Sequence, residues 1–300
     1  MTNNTTRAGF IAVVGAPNVG KSSLINRLVG TKVSIVSPKV QTTRTRVLGI
    51  CMAGTAQVIF IDTPGIFQPR RRLDRAMVAA AWGGAGDADH VLLLVDAARD
   101  IDNNTRDIID KLRGSGRRAV LAINKVDIVK KPYLLALTAT LQDPDLFTKT
   151  FMISATSGDG VNDLLAYLAG LLPAGPWLFP EDQVSDMPER LLAAEITREK
   201  LYLELHQELP YATTVETESW EYKPDGSIRI SQVVYVERDT QKAIVLGKGG
   251  RQIKRIGVKA RQELQEILDT NVHLFVFVKV REKWGDDPER YRDWDLDFNA

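Results

Sequence analysis

The chain has 300 residues, 44% of them apolar and 26% charged, an ordinary globular composition long enough to build two cores. Lys plus Arg is 39 and Asp plus Glu is 38, so a net charge of +1 excludes a uniformly basic nucleic-acid coat and allows only a local basic patch. One cysteine, Cys51, excludes an internal disulfide framework, and three scattered histidines (His90, His206, His273) add no zinc-ligand cluster. The polar start is followed by only five apolar residues, Phe10 to Val14, too few for a signal-peptide core. No run approaches the roughly 20 apolar residues of a membrane-spanning helix, so a cytoplasmic chain is expected.

In chain order, short apolar runs come first: FIAVV (10–14), VIFI (58–61), VLLLV (91–95), AVLAI (119–123) and FMIS (151–154). Helix-like stretches separate them. Strands apolar on both faces with helical crossovers predict an α/β domain with a doubly wound, mostly parallel sheet. Four of the 13 prolines then fall between Pro173 and Pro188. Proline lacks an amide donor and restricts its neighbour, so 173–188 is expected to be an interdomain linker. Beyond it the order becomes α+β: a helix over 188–209, strands over 213–222 and 227–237 joined by a KPDG turn, a helix to Leu246, a helix over 251–269 and a strand over 272–281. The expected organisation is a nucleotide domain over 8–172, the linker, a second domain over 189–283 and an acidic, aromatic tail over 284–300.

GAPNVGKS (Gly15, Ala16, Pro17, Asn18, Val19, Gly20, Lys21, Ser22), followed by Ser23, fits G-x-x-x-x-G-K-[ST] between a strand and a helix. Backbone amides of such a loop wrap phosphates, and the helix N-terminus adds a favourable partial charge. Lys21 would reach the β and γ phosphates, and Ser22 would ligate Mg²⁺. Asp62-Thr63-Pro64-Gly65 follows the second apolar run, where the carboxylate can hold Mg²⁺ through water and Gly65 can bring its amide to a γ-phosphate. Between them lies QTTRTR (41–46), with Thr43 the candidate second Mg²⁺ ligand. Asn124-Lys125-Val126-Asp127 ends the fourth run. A carboxylate there accepts from guanine N1–H and the 2-amino group, and adenine would leave it unpaired. Ser154-Ala155, after the fifth run, stands where a base-contacting loop is usual.

Taken in order from Gly15 to Ala155, these motifs resemble the translation-factor-related GTPases. The resemblance implies binding of Mg²⁺·GTP, hydrolysis to GDP and phosphate, and two switch segments that move with the nucleotide. One position departs from Ras-like enzymes: Ile66 stands where a water-orienting glutamine follows the DxxG glycine, so slow intrinsic hydrolysis is expected. Asn18 resembles the P-loop asparagine of GTPases that use a potassium ion. Lys21, Thr43, Gly65 and Asn18 are thus the candidate catalytic residues. Arg44 and Arg46 could act in cis as fingers, although exposed arginines are common. Arg70, Arg71, Arg72 and Arg75 form a charged face after DTPG.

Residues 240–262 hold seven Lys or Arg and no acid. At the centre is Gly247-Lys248-Gly249-Gly250, flanked by Ile244, Arg251, Lys254 and Arg255. A Gly-x-x-Gly loop between two helices lets a nucleic-acid backbone approach, as in the KH module's clamp on about four nucleotides of single strand. A GTPase domain joined to a type II KH domain over 8 to 283 resembles the small-subunit ribosome-assembly GTPases. That resemblance implies binding of single-stranded RNA near the 3′ end of small-subunit ribosomal RNA on the subunit precursor, and peripheral membrane association. A monomer is expected. Two alternatives remain open: a tRNA-modification-type GTPase, which shares only the first half, and an RNA-binding adaptor that holds GTP as a structural ligand.

Overall fold

The computed structural model describes residues 5–39, 42–69, 71–206 and 209–300. Gln41 and Arg70, named above, lie outside the described residues. The chain forms two compact units. One comprises Met1–Ser34, Thr43–Asp186 and Tyr291–Ala300, and the other Ile35–Thr42 and Met187–Arg290.

The first unit runs β1 (Arg7–Val14), α1 (Lys21–Val29), β2 (Val47–Ala53), β3 (Ala56–Asp62), α2 (Arg72–Asp87), β4 (His90–Asp96), α3 (Asn103–Gly114), β5 (Ala119–Asn124), α4 (Lys131–Leu141), β6 (Phe147–Met152) and α5 (Val161–Leu171). Its sheet has the order β2-β3-β1-β4-β5-β6, parallel except for the antiparallel β2. Side chains alternate across a strand, and both faces are covered. Ala12 and Val14 of β1 join a core with Ala81, Ile108 and Leu137 of α2, α3 and α4. Ile11 and Val13 join another with Leu24 of α1 and Leu164 and Leu168 of α5. This double burial is why the strands appear in the sequence as unbroken apolar runs. The sheet grows to one side of β1 through β3 and to the other through β4, so the loop after β1 opens at the topological switch point where such sheets bind ligands.

Two elements differ from the sequence expectation. β2 was not expected, because an antiparallel edge strand carrying Gly49 and Cys51 lacks a continuous branched run. Gly49 is required by packing: a Cβ there would stand 2.6 Å from Ile25 Cγ2 on α1. The stretch 173–188 is not a free tether, since through Asp186 it belongs to the first unit. The amide of Ile50 donates to the Val184 carbonyl at 2.9 Å, and the Gln57 side chain accepts from the amides of Leu178 and Phe179 at 2.8 and 3.0 Å. A proline-bearing stretch without regular structure of its own satisfies its backbone by borrowing partners from the sheet beside it.

The second unit has α6 (Glu189–Glu204), β7 (Thr213–Tyr222), β8 (Ile228–Val236), α7 (Asp239–Leu246), α8 (Arg251–Leu268) and β9 (Val272–Val280). β8 pairs antiparallel with β7 and parallel with β9. Leu201 of α6 and Ile256 of α8 bury one face of this sheet with Val215 and Val234, and Ile196, Ala260 and Leu264 continue the layer against Ile228 and Ile230. α6 ends at Glu204, earlier than the expected 209, and Leu209–Ala212 is a tight turn. The tail forms a turn at Trp284–Asp286 and then α9 (Pro288–Asp293), with Trp284, Tyr291 and Trp294 buried as packing residues. Its last ten residues, from Tyr291, belong to the first unit.

Gly49→Ala should destabilise the first unit by about 1–3 kcal/mol through overpacking against α1, seen as a lower urea midpoint. Gly83→Ala, on an open helical surface with nothing within 4 Å of the new methyl, should leave that midpoint unchanged or raise it.

Candidate nucleotide site and nucleic-acid interface

The loop after β1 turns sharply through two left-handed residues, Asn18 (φ +65°) and Gly20 (φ +101°). Gly20 passes so close to β5 that a Cβ would stand 2.4 Å from Asn124 Nδ2. That contact is used. Asn124 Nδ2 donates to the Val19 carbonyl at 2.8 Å, and its Oδ1 accepts from the Ala155 amide at 2.9 Å. Lys125 Nζ donates to the Asn18 carbonyl at 2.9 Å and to Asp96 Oδ2 at 2.6 Å. Asn124 and Lys125 therefore tie the phosphate loop to the ends of β4 and β6. Asp127 is left exposed in the turn Val126–Ile128, able to accept from a ligand. Ser154 is buried, its Oγ accepting from the Ser157 amide at 3.0 Å, so it shapes the loop that carries Ala155.

Lys21, at the start of α1, is buried, and Nζ donates to the carbonyls of Gly15 and Ala16 at 3.1 Å each. Burial lowers its pKa to about 8, against the pull of the Asp62 charge. One residue on, Ser22 Oγ donates to Asp62 Oδ2 at 2.8 Å and stands 3.1 Å from Thr43 Oγ1. Asp62 is wholly buried, and Ser34 Oγ also donates to its Oδ2. Burial pushes its carboxyl above the ordinary range, opposed by the Ser34 bond and the Lys21 charge. Asp62 Oδ1 is buried with no hydrogen-bond partner among the described residues. Two hydroxyls and an uncompensated carboxylate oxygen suit Mg²⁺, which uses one or two carboxylates and takes its remaining ligands from phosphates and water. The residues therefore fit the metal that the motifs imply.

Gly65 is buried against the phosphate loop, where a Cβ would lie 3.0 Å from Pro17 Cα. The next amide, Ile66, donates to the Gly15 carbonyl at 3.2 Å, while the Ile66 side chain enters the core. Arg44, weighed above as a finger, is buried with its guanidinium 5.8 Å from the centre of the Trp294 ring.

In the second unit Gly247, Gly249 and Gly250 all have left-handed φ, at +68°, +61° and +75°. A Cβ at Gly249 or Gly250 would meet nothing within 4 Å, so their backbone faces open space. Ile244 and Lys248 beside them are exposed. A groove of about 320 Å³ lies between α8 and β9, lined by Ile253, Lys254, Gly257, Val258, Arg261, Leu274 and Val276. Arg255 faces a different partner: its Nη2 lies 2.5 Å from Glu204 Oε2, and Lys259 Nζ lies 2.5 Å from the other oxygen. These cations hold the Glu204 carboxyl below the usual carboxylate range.

Sequence reasoning missed Ser34, Asp96, Glu204 and most of the groove. Asp96 had a signal, an acid closing an apolar run. Apart from Lys254 and Arg261, the groove residues are apolar or glycine and carry none.

Residues 10–125 match the family described as 50S ribosome-binding GTPase, and residues 208–285 match the KH domain. GTPase Era of Rhizobium meliloti is 61% identical over 293 residues, covering 98% of this chain and 94% of that protein. GTPase Era of Brucella suis is 59% identical over the same share of each. Among solved structures, Era from Aquifex aeolicus bound to GDP·AlF4⁻ is 38% identical with a TM-score of 0.91, covering 96% of this chain and 99% of that one. Era in complex with MgGDPNP and nucleotides 1506–1542 of 16S ribosomal RNA is also 38% identical with a TM-score of 0.91, covering 96% and 98%.

The buried Lys21 yields a pH signature. Its folded pKa is about 8 against 10.5 for the free side chain, so the unfolded chain binds the extra proton only between those values. The burial penalty is full below pH 8 and fades as pH rises toward 10.5. Without nucleotide, Lys21→Met should therefore be more stable than the parent at pH 7, by up to about 3 kcal/mol. Thermal unfolding of both chains across that window should show the gap closing with rising pH.

Proposed function

This chain belongs to the Era family of GTPases, and from that membership we propose that it is a Mg²⁺-dependent GTPase whose KH domain binds single-stranded RNA near the 3′ end of small-subunit ribosomal RNA. Its role is in assembly of the small-subunit precursor, switched by GTP and GDP. The observation that carries the nucleotide half is the convergence of Ser22, Thr43 and Asp62 beside Lys21.

In this reading the amides of residues 15–23 and Lys21 neutralise the β and γ phosphates, and the Gly65 amide donates to a γ-phosphate oxygen. Ser22 and Thr43 would hold Mg²⁺ directly and Asp62 through water, and the ion would supply neutralisation of the phosphate charge. Asp127 accepts from guanine. Val126 and the Ser154–Ala155 loop flank the base, and Thr63 and Pro64 fix the turn into Gly65, Thr63 Oγ1 donating to the Val13 carbonyl at 2.8 Å. Water attacks the γ-phosphorus as the bond to the β-bridging oxygen breaks, leaving GDP and phosphate. Ile66 lies in the core, so backbone groups or a partner must orient that water, and intrinsic turnover is slow. Asn18 would help hold a potassium ion, which would supply additional positive charge beside the phosphates.

The RNA half rests on the open backbone at Gly249 and Gly250 next to the groove along α8. Gly247, Lys248, Gly249 and Gly250 hold the phosphates, with Ile244, Arg251, Lys254 and Arg255 around them. No helix among the described residues is long and apolar enough to cross a membrane. A monomer in the cytoplasm, with peripheral contact at the inner membrane face, rests on the family resemblance alone.

GTP hydrolysis measured with Mg²⁺ in potassium and in sodium, with and without an oligonucleotide of the 16S 3′ end, tests the reading. Turnover should be higher in potassium and stimulated by the RNA. Phosphate release absent under every condition would overturn the enzymatic assignment. Asp127→Asn should reduce the preference for GTP over ATP by about 100-fold or more, since one guanine partner is lost. Gly249→Asp should leave GTP affinity intact and weaken RNA binding at least tenfold, because it sets a negative side chain in the clamp. Filter binding at several salt concentrations checks this.

A further inference from the structure

Within the first unit, helix α1 carries a polar side chain that the nucleotide reading leaves unused. Asn26 stands one turn after Ser22, so the two lie on the same face of the helix. Its side-chain amide is spent on one short stretch of backbone. Oδ1 accepts from the amides of Val33 and Ser34 at 2.9 Å each, and Nδ2 donates to the Ser34 carbonyl at 2.7 Å. Ser34 is thus held at both its amide and its carbonyl. It is buried, and its Oγ donates to Asp62 Oδ2, the oxygen that also accepts from Ser22.

From this geometry we propose that Asn26 and Ser34 are positioning residues for the Mg²⁺ site. Asn26 fixes the Ser34 backbone, and the Ser34 hydroxyl fixes the rotation of the Asp62 carboxylate. The inference rests on the reading of Ser22 and Asp62 as metal-site groups. Ser22 and Ser34 both meet Oδ2 and leave Oδ1 without a hydrogen-bond partner among the described residues. Two donors on one oxygen select which oxygen remains for a metal-bound water, where a single donor would leave the carboxylate freer to turn. Ser22 can serve both partners, since a hydroxyl that gives a lone pair to a cation keeps its proton for Asp62. Ser34 is not a ligand in this reading, so its hydroxyl acts on the metal only through Asp62. Asparagine is a poor residue for a helix interior, and residues 30–34 have no strand or helix of their own, so the Asn26 bonds take the place of a backbone ladder there. Outer hydrogen bonds of this kind orient the groups around a metal, and losing one weakens metal binding by about 10–100-fold.

The test measures the affinity of the full chain for mant-GDPNP, a fluorescent non-hydrolysable GTP analogue, over a series of free Mg²⁺ concentrations, so that no turnover enters the readout. The parent is compared with the Asn26→Ala, Ser34→Ala, Ser34→Thr and Ser22→Ala variants. Ser34→Ala should raise the Mg²⁺ concentration for half-maximal binding by about tenfold, and Asn26→Ala should shift it the same way. Ser34→Thr keeps the hydroxyl and should recover most of the loss. Binding of mant-GDP in EDTA, which draws on the phosphate loop and Asp127 but on no metal, should stay within about twofold of the parent. A larger loss there would make the pair general supports of the nucleotide loops and overturn the inference. A parent-like Mg²⁺ titration for Ser34→Ala, beside a shifted Ser22→Ala, would overturn it too, whatever the urea midpoints, and leave the metal assignment standing. A parent-like titration for Asn26→Ala alone would remove Asn26 from the role. If Asn26→Ala fails to fold by circular dichroism, Ser34→Ala, which deletes one hydroxyl, decides. An unshifted Ser22→Ala would overturn the metal assignment itself.

Discussion

A carboxylate with no exposed surface must be met by donors or by a cation, and Asp62 makes that demand at the end of β3. Three separate pieces of chain answer it. Ser22 comes from the first turn of α1, Ser34 donates to the same oxygen, and Thr43 stands beside Ser22. The apolar layers on either side of the sheet hold the strands, but they do not determine where the connecting loops end. The buried charge does. Its second oxygen, lacking a hydrogen-bond partner among the described residues, is left open to a further donor or cation. The same charge opposes the desolvation of Lys21, so the two buried groups support each other's ionised state.

What the sequence made legible follows from what each residue type can do locally. A strand covered on both faces needs apolar residues throughout, so β1, β3, β4 and β5 stand out as runs. β6 is half exposed, with Thr148 and Lys149 near its start, and only its last residues were visible in that way. β2 depends on the close approach of Gly49 to α1, a tertiary fact with no local signature. The loop motifs were legible because glycine and lysine at fixed offsets are demanded by phosphate geometry. Asn124 and Lys125 show the limit of that reading. Placed in a base-recognition motif, they spend their polar atoms on the backbone of the phosphate loop and on Asp96, bracing the site.

Charge counting misjudged the second unit for a related reason. Seven cations without an acid between 240 and 262 suggest a uniformly available positive face. Helix α6 brings Glu204 against that face, where it engages Arg255 and Lys259 together. An RNA phosphate approaching those two must displace a carboxylate already held by two cations. Lys254 and Arg261, lining the groove beside the glycine loop, face no such competition from Glu204. The salt dependence of RNA binding should thus report fewer neutralised phosphates than the count of basic residues, because each phosphate gains only what the internal pair gives up.

Helix α6 therefore serves two surfaces at once. Ala194, Leu201 and Leu205 pack it on β7 and β8, Glu204 reaches the cations of α8, and Arg198 and Glu199 hold the backbone of Ile35–Thr42. The chain leaves the first unit after Ser34 and returns at Thr43, both of which approach the Asp62 site. Within the second unit the charged side chains of one helix thus meet backbone groups and cations that an apolar face could not satisfy, which is why Arg198 and Glu199 can stay charged although almost fully buried.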